Sequence, residues 1–498
     1  MKQPAIMKEL NALFNPRSVA VVGATDNRGK WGFSTFRSVN TSFQGDIYPV
    51  NQRAKTVFDR QAFARVTDIP GPVDLAVIVV PHDAVLPVMK DCVQKGAKAA
   101  VIISAGFQET GEKGRKLQDQ VLAEARKGGL RFVGPNCMGT WSASCNLNAF
   151  MAPMPVMDGP LAFVTQGGNV GGSILRSANE KGVGFREYVS CGAAADIQIE
   201  DYIEYFGNDP SVRVILAYIE GLTDGRRFVE KVSAITKNKP VIAMKSGTTL
   251  AGSRAAMSHS GALAGSDAAY DAAFEAAGVI RAQTIGEFLD TAIGFLTQPL
   301  PAGDNVAILT GGGSYGVLCA DACEASGLNV VELPEHVIEE LNQHLPDRWS
   351  HGNPVDPAGD RDFGYYLQIP ELLLPIEYVD TLLFMGFGGF SQLGPDFIAS
   401  GFTVGPMDQA PPTEEEFMNM VDKILADIII SWLKKYNKPV LTTTFGEMSM
   451  HLEHGIYHYA SPERAAMVLA NLARYRKYLD KIGVTSKPDY DPFRICLL

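Results

Sequence analysis

The sequence predicts an α/β protein made of three consecutive doubly wound domains. One pattern occurs three times at nearly equal spacing: a short apolar strand, a glycine-rich turn and then a helical periodicity. The three strands are predicted at residues 18–22, 161–164 and 305–309. Because these runs are continuously apolar and rich in branched residues, they are typical of parallel strands covered on both faces. A chain of 498 residues is also too long for one hydrophobic core.

The predicted domains span residues 1–150, 151–300 and 301–498, and stretches rich in proline and glycine mark both boundaries. Further strands are predicted at residues 46–50, 73–80, 99–104, 130–134, 186–190, 212–220, 239–246, 328–332, 380–387 and 438–444. Residues 391–413 are predicted to form a long loop before a helix at 414–434.

Composition narrows the class of protein. The hydrophobic fraction of 46% and the charged fraction of 20% are those of an ordinary globular protein. A formal net charge of −11 argues against a nucleic-acid partner or an anionic membrane surface. The seven cysteines are scattered without a CxxC pair, which favours reduced thiols. No run approaches the length of a membrane span or a signal core, so we predict a cytoplasmic protein.

One histidine stands out as a candidate catalytic residue. His259 lies in a run of small residues that includes Ser258, Ser260 and Gly261, and we expect this run to be a loop. An imidazole that takes up a phosphoryl group needs space for three oxygens and nearby backbone N–H donors. The sequence around His259 provides both, so we predict a phosphoryl acceptor there.

The first glycine turn, residues 23–32, suggests a phosphorylated ligand. A dinucleotide is one candidate, but the spacing is not G-x-G-x-x-G, and the second strand ends at Asn51 without an acidic residue for a ribose hydroxyl. Coenzyme A has a different adenosine end and fits the pattern better. Arg28, Lys30 and Arg53 are candidates to pair with its phosphates.

Two further loops, residues 103–111 and 134–139, follow predicted strands and should lie at the carboxyl edge of the sheet, where ligands bind in such folds. Together with 73–81 and SHSGALAG at 258–265, these residues resemble the α subunit of ADP-forming acyl-CoA synthetases. This family is also called acetate–CoA ligase (ADP-forming) and is related to succinyl-CoA synthetase. The resemblance implies a CoA-binding Rossmann-like domain followed by two flavodoxin-like domains of the succinyl-CoA-ligase type.

The resemblance also implies roles for particular residues. His259 matches the phosphorylated histidine, and Glu220 matches the glutamate that orients it. The residues implied to bind phosphate are Thr165, Gln166, Gly167, Gly168, Asn169, Ser260 and Gly261. The residues implied to bind CoA are Gly23, Thr25, Asn27, Arg28, Arg53, Ile103, Ser104, Ala105 and Asn136.

Five positions depart from the family pattern. The usual V-N-P-K at the end of the second strand reads VNQR at 50–53, so Gln52 replaces the proline and Arg53 the lysine. The arginine keeps the charge and changes its geometry. The usual serine in the second glycine turn is Gly167. The usual S-x-G-N stretch is SCGA at 190–193, so its asparagine is replaced by Ala193. An arginine common after the Lys-x-Gly stretch is Thr248. The change at Arg53 affects the expected CoA contact, whereas Gly167, Ala193 and Thr248 lie in the expected acyl and phosphate pocket and favour an atypical acid substrate or weakened turnover.

The reaction implied by the resemblance interconverts acyl-CoA, ADP and phosphate with a small carboxylic acid, CoA and ATP, through an acyl phosphate and a phosphohistidine. CoA is then a substrate. No stretch of the sequence resembles an ATP-grasp domain, so ADP or ATP and Mg²⁺ are expected on a separate β subunit in an α2β2 assembly. Two alternatives remain open: a catalytically weakened CoA sensor or scaffold, and an NAD-dependent oxidoreductase.

Other clusters of reactive residues are predicted to be structural, and we predict no metal site. His451, His454 and His458 have a spacing that could bind a metal, but Gly455 interrupts them and a helix start follows. The pair Cys319 and Cys323 is predicted to lie on a packed helix face, and residues 353–356 are assigned to structure.

Overall fold

The computed structural model describes residues 4–152, 154, 156–260, 266–358, 364–388, 414–444 and 452–484. The chain divides into two compact units, one of residues 1–179 and 183–285, the other of residues 180–182 and 286–498. The predicted loop at 391–413 lies outside the described residues.

The first unit begins with a parallel sheet of five strands in the order β2-β1-β5-β6-β7. Its elements are α1 (Ala5–Phe14), β1 (Ser18–Val22), α2 (Trp31–Ser42), β2 (Asp46–Val50), a small hairpin of β3 (Thr56–Val57) and β4 (Arg60–Gln61), β5 (Leu75–Ile78), α3 (His82–Lys95), β6 (Ala99–Ile102), α4 (Glu112–Lys127) and β7 (Arg131–Val133). Every residue of β1, β5 and β6 is buried, because the sheet is covered on both faces. All five strands predicted for this sheet are confirmed.

A second sheet completes the first unit, with the order β14-β13-β12-β10-β11-β8-β9. Its elements are β8 (Gly139–Ser142), β9 (Leu147–Phe150), β10 (Leu161–Thr165), α5 (Gly168–Glu180), β11 (Phe185–Ser190), α6 (Ile199–Gly207), β12 (Val214–Ile219), α7 (Gly225–Thr236), β13 (Val241–Lys245), α8 (Leu250–Ser260), α9 (Asp267–Ala277) and β14 (Ile280–Ala282). Strands β10 to β14 pair in parallel, whereas β8 and β9 pair antiparallel. The hairpin β8–β9, which falls in the first domain by sequence, thus belongs to the second sheet.

The second unit contains a sheet with the order β16-β15-β17-β18-β20-β19. Its elements are α10 (Ile285–Thr297), β15 (Asn305–Thr310), α11 (Gly313–Ala325), β16 (Asn329–Val330), α12 (Glu335–His344), α13 (Gly364–Leu373), β17 (Thr381–Gly388), α14 (Glu414–Tyr436), β18 (Val440–Thr444), β19 (Leu452–Glu453), β20 (Ile456–Tyr459) and α15 (Pro462–Lys481). The fully buried Asp290 pairs with Arg464 and accepts a 3.0 Å hydrogen bond from the hydroxyl of Tyr457. This network ties α10 to β20 and α15.

The residues assigned to structure are confirmed as such. Cys319 and Cys323 are both buried on α11. The Asn353 side chain accepts from the Ile308 N–H at 2.8 Å and donates to two backbone carbonyls, so it fastens its loop to the sheet. The predicted helix start is also confirmed, because Ser461 caps α15. Across the described ranges, no helix combines the length and apolar character that a membrane crossing requires.

Candidate functional site

The first glycine turn brings two segments into close backbone contact. Gly23 has a positive φ of 96°, and its N–H donates to the Val50 carbonyl at 2.9 Å. A Cβ atom at this position would lie 2.1 Å from the Val79 carbonyl oxygen, and one at Gly32 would lie 2.0 Å from the Gly23 oxygen. Only glycine therefore allows α2 to begin so close to the carboxyl ends of β1 and β5.

Side chains predicted to bind CoA fix the shape of this turn. The Thr25 hydroxyl accepts from the Asn27 N–H at 3.2 Å, and the Asn27 amide oxygen accepts from the Gly29 N–H at 2.9 Å. Arg28 and Arg53 are exposed and form no ion pair with any residue that the structure describes. The turn is therefore a preorganised backbone with two available cations, which suits a ligand carrying phosphates.

The tip of β2 is occupied by an amide. The Asn51 side chain donates to the Ala24 carbonyl at 2.8 Å and accepts from the N–H groups of Arg53 and Ala54. This geometry places the Arg53 backbone next to the first glycine turn. A nicotinamide dinucleotide would need an acceptor for its ribose hydroxyl at this tip. Asn51 is already committed to the backbone, so the position does not favour that ligand.

The loops after β6 and β7 meet at the same edge of the sheet. The Ser104 hydroxyl donates to the Val80 carbonyl at 2.5 Å, and the Ser104 carbonyl accepts from the Asn136 N–H at 3.0 Å. Ala105 is exposed, whereas the Ile103 side chain is only 6% exposed and belongs to the core. Of the predicted CoA-binding residues, Ile103 can therefore present only its backbone to a ligand.

The loop after β7 also joins the two sheets of the first unit. The Ala193 N–H donates to the Pro135 carbonyl at 3.0 Å, and the Met138 N–H donates to the Ser190 hydroxyl at 3.1 Å. A Cβ atom at Gly192 would lie 2.3 Å from the Asn136 carbonyl oxygen. The predicted CoA edge and the turn after β11 are thus in direct contact. Ala193, one of the departures from the family pattern, lies at this contact.

The second glycine turn opens α5. Thr165 is fully buried, and its hydroxyl accepts from the Gly167 N–H at 3.1 Å and donates to the Gly167 carbonyl at 2.9 Å. Its side chain therefore shapes the turn and does not face a ligand. Gly168 is the first residue of α5, and the exposed Asn169 follows it. The N-terminus of a helix with such a turn favours bound anions.

Gln166 connects this turn to Glu220. Its side-chain oxygen accepts hydrogen bonds from the N–H groups of Glu220 and Gly221, at 2.5 and 2.9 Å, and its amide nitrogen donates to the Gly221 carbonyl at 3.0 Å. A Cβ atom at Gly167 would lie 3.3 Å from the Glu220 carboxylate oxygen. The glycine turn is therefore hydrogen-bonded to the backbone that carries Glu220, and the Glu220 carboxylate lies next to the turn.

Sequence analysis missed a lysine beside this assembly. Lys245 ends β13, and its Nζ lies 4.6 Å from the centroid of the Tyr270 ring. Burial lowers the pKa of Lys245, and the nearby carboxylates Asp267 and Glu220 act in the opposite direction. The position was visible in the sequence as the start of the Lys-x-Gly stretch. Nothing in the sequence showed that its strand end lies beside that of Glu220.

His259 lies in a different local structure from the one predicted. The backbone of 250–260 forms helix α8, not a loop, and both His259 and Ser260 lie in its last turn. The run AGSRAA at 251–256 contains three alanines, which favour a helix. α8 lies alongside residues 108–110, which follow the loop after β6 at the predicted CoA edge. The side chains of His259 and Ser260, and all of Gly261, lie outside the described residues.

Two other features do not involve the predicted site. A cleft of about 650 Å³ is lined by paired charges, among them Arg131 with Asp196 at 2.8 Å, and it contains none of the predicted site residues. His458 is hydrogen-bonded to the Thr442 hydroxyl, and His451 lies outside the described residues. Within the described ranges, no group of three or more histidine, cysteine or acidic side chains is arranged to hold a metal.

Comparison with known proteins gives three matches to family models. A CoA binding domain matches residues 17–142, a succinyl-CoA ligase like flavodoxin domain matches 158–295, and a Ligase-CoA domain matches 306–383. The three matches follow each other along the chain in the order that the family resemblance implies.

Individual proteins match over longer stretches. The chain is 42% identical over 374 residues to the alpha subunit of acetate–CoA ligase [ADP-forming] II of Pyrococcus furiosus, which covers 75% of this chain and 81% of that subunit. It is 37% identical over 496 residues to the alpha subunit of ligase I of the same organism, covering 95% and 99%. A solved dinucleotide-forming acetyl-coenzyme A synthetase 1 of Ca. Korarchaeum cryptofilum, in complex with phosphate and ADP, is 31% identical, with a TM-score of 0.79 over 95% of this chain and 99% of that one.

Proposed function

The chain belongs to the family of ADP-forming acetate–CoA ligases, which are acid–thiol ligases, and from this premise we propose that it works through an acyl phosphate and a phosphohistidine at His259. In this proposal the chain acts as the alpha subunit. It converts a small acyl-CoA and inorganic phosphate into an acyl phosphate and free CoA. The phosphoryl group then passes to His259, and the carboxylic acid is released. The relatives' names suggest acetate as the acid to test first.

The first step takes place at the CoA edge. An oxygen of inorganic phosphate attacks the thioester carbonyl carbon, the carbon–sulfur bond breaks, and CoA leaves as a thiolate that takes up a proton. The exposed Arg28 and Arg53 pair with CoA phosphates. The loops that carry Ser104 and Asn136 hold the other end of the molecule close to the second sheet, because they contact the turn after β11.

The second step transfers the phosphoryl group. A ring nitrogen of His259 attacks the phosphorus, the bond between phosphorus and the acyl oxygen breaks, and the carboxylate leaves. Glu220 accepts a hydrogen bond from the other ring nitrogen, which fixes the tautomer and stabilises the positive charge on the ring. The N–H groups at the start of α5 bind the phosphoryl oxygens.

The observation that carries the proposal is the bond between Gln166 and the backbone of Glu220. A phosphohistidine needs an orienting carboxylate and an anion-binding helix N-terminus at a fixed separation. The three hydrogen bonds of Gln166 hold these two parts together without any ligand. They join residues 54 and 55 positions apart in the sequence.

The third step completes the exchange on another polypeptide. An oxygen of the ADP β-phosphate attacks the phosphorus of phosphohistidine, and the nitrogen–phosphorus bond breaks to give ATP. We assign the nucleotide and Mg²⁺ to an ATP-grasp β subunit in an α2β2 assembly. The relatives that match this chain over most of their length are themselves named as alpha subunits, which supports a separate partner.

The test is phosphoryl transfer to the protein. The purified chain is incubated with acetyl-CoA and radiolabelled phosphate, and we expect a label that is stable in base and labile in acid. His259→Ala should abolish the label, whereas His336→Ala, a matched change of an exposed histidine on α12, should leave it unchanged. Tight CoA binding without any label would instead favour the CoA sensor.

The same preparation tests whether ATP formation requires a second subunit. We expect the chain alone to form phosphohistidine and to make no ATP when ADP and Mg²⁺ are added. ATP formation should require the separate β subunit. ATP made by the purified chain alone would contradict the two-subunit assignment.

A further inference from the structure

Trp31 is an exposed aromatic residue at the predicted CoA edge. It is the first residue of α2 and is 56% exposed. The other three tryptophans, Trp141, Trp349 and Trp432, are 7%, 2% and 2% exposed. Exposing a large apolar indole to water is unfavourable. An exposed tryptophan beside the first glycine turn therefore suggests a role in ligand binding.

Packing within the protein does not account for the position of Trp31. Neighbouring aromatic rings pair with each other, Phe33 with Phe58 at 5.2 Å and Phe36 with Phe58 at 5.4 Å between centroids. Trp31 makes no ring contact with any residue in the described part of the chain. The residue that follows it, Gly32, is buried against Gly23, so the start of the helix is fixed while the indole remains outside.

The surroundings of Trp31 have the chemistry of a nucleotide site. Arg28, Lys30 and Arg53 are exposed and have no ion-pair partner among the described residues. Arg28 and Lys30 belong to the turn, and the Arg53 backbone is held next to it through Asn51. The turn itself is held by the Thr25 and Asn27 side chains and by Asp26, whose carboxylate accepts from the Phe58 N–H at 2.9 Å. An indole face near unpaired cations suits a purine base that carries phosphates.

We propose that the Trp31 indole stacks on the adenine ring of CoA and sets the preference for the complete coenzyme over its fragments. This inference rests on the proposed function, because it takes CoA as the substrate. Stacking of a base on an aromatic side chain predicts that Trp31→Ala weakens CoA binding about 5- to 100-fold. Trp31→Phe keeps an aromatic face and should retain most of the affinity.

The experiment compares CoA with 4′-phosphopantetheine, which lacks the adenosine part, by calorimetric titration of the full chain. We expect Trp31→Ala to weaken CoA binding and to leave 4′-phosphopantetheine binding unchanged. Ile482→Ala, an exposed apolar residue of the other unit, is the control and should change neither. Trp31 is also the exposed fluorophore among the four tryptophans, so CoA should quench the long-wavelength emission of the parent protein and not that of Trp31→Phe.

The outcomes separate this inference from the proposed function. Equal CoA affinity of the parent and Trp31→Ala would overturn the stacking role and leave the ligase assignment intact. An equal loss for CoA and 4′-phosphopantetheine would also overturn it, because the change would then act on the turn as a whole. A parent protein that binds no CoA would overturn the proposed function itself.

Discussion

Two threonine–glycine turns, one in each unit, have the same hydrogen bonds and different surroundings. In the first unit the Thr165 hydroxyl bonds the N–H and carbonyl of Gly167, at 3.1 and 2.9 Å. In the second unit the Thr310 hydroxyl bonds the N–H and carbonyl of Gly312, at 3.2 and 2.8 Å. Both turns connect a buried parallel strand to a helix, so the fold produces this geometry twice.

The difference lies in the residue between threonine and glycine. Both middle residues donate their N–H to the end of the neighbouring strand at 3.1 Å, Gln166 to Tyr218 and Gly311 to Met385. Only Gln166 has a side chain that continues to the backbone of Glu220. The shared backbone motif thus provides a helix start of the kind that favours anions, and only the Gln166 side chain links such a turn to the backbone that carries Glu220.

The largest expected effect comes from removing that side chain. Gln166→Ala should lower the rate of His259 labelling by about 10- to 100-fold, because the backbone of Glu220 and Gly221 loses three hydrogen bonds and the carboxylate is misplaced. The measurement is single-turnover labelling with acetyl-CoA and radiolabelled phosphate.

A matched control separates position from stability. Gln298 makes a comparable bond in the second unit, where its side chain accepts from the Val440 N–H at 2.9 Å. Gln298→Ala should lower the melting temperature and leave the labelling rate of the folded protein unchanged. If Gln166→Ala labelled at the parent rate, the bond to Glu220 would have no part in catalysis.

The strands and glycine turns could be predicted from sequence because their signals are local. Continuous apolar runs such as 75–78 and 99–102 have buried-strand character in every residue. Elsewhere a glycine marks the strand end, as Gly23 does for β1 and Gly167 for β10. The residues grouped around the second turn, from Thr165 to Asn169, follow directly from this pattern.

The rest depended on pairings that no local pattern contains. The hairpin of β8 and β9 joins the second sheet through antiparallel pairing with β11, about 45 positions along the chain. The positions of Gln166 and Lys245 relative to Glu220 follow from the order of β10, β12 and β13 in the sheet, which the sequence does not state. The helical run at 250–260 was open to prediction, and the small residues around His259 led instead to a loop.

The two units also differ in their buried ionisable groups. In the first unit, burial raises the pKa of Glu187 from 4.5 to about 8, and the charge of Asp209 adds to this effect. In the second unit, loss of hydration lowers the pKa of His458 from 6.5 to about 4. Both groups are therefore held neutral by the fold. Ionisation of Glu187 destabilises the folded state as the pH rises, whereas ionisation of His458 destabilises it as the pH falls.

The pH dependence of stability should show this contrast. The folded state holds the Glu187 proton more tightly than the unfolded state, so this contribution to stability is complete below pH 4.5 and is lost as the pH rises through about 8. Glu187→Gln should therefore stabilise the protein at pH 8 by about 3–4 kcal/mol relative to its effect at pH 5. The measurement is the melting temperature of both proteins across this range.

His458 should act with the opposite sign. The neutral form of His458 is favoured in the folded state, so its contribution to stability is complete above pH 6.5 and is lost as the pH falls through about 4.

The Glu187 prediction has a clear contrary outcome. If the melting temperatures of the parent and Glu187→Gln changed in parallel between pH 5 and 8, Glu187 would not be held neutral.

Changing both threonines tests whether the shared hydrogen bonds serve structure or chemistry. Thr165→Ala and Thr310→Ala each remove two hydrogen bonds, and each should cost about 1 kcal/mol of unfolding free energy. The melting temperature should fall by about 2–4 °C in both cases. Only Thr165→Ala should also slow labelling, because it loosens the turn that begins α5. Slower labelling in both variants would assign the second turn to the site as well.

The smallest expected effect comes from adding a side chain at Gly167 or Gly312, the glycines of the two turns. A Cβ atom at Gly167 would lie 2.9 Å from a ring carbon of Tyr218, whereas one at Gly312 would meet no atom within 4 Å. Gly167→Ser should therefore destabilise the protein by less than about 1 kcal/mol, since the tyrosine ring can shift, while Gly312→Ser adds a favourable helix cap and should be neutral or slightly stabilising. The family resemblance implies serine at position 167. Gly167→Ser therefore also tests whether the absence of this hydroxyl, beside the Tyr218 ring, affects the labelling rate. Faster labelling in Gly167→Ser, despite the lower stability, would mean that the missing hydroxyl limits turnover and that the crowding by Tyr218 has no benefit for catalysis.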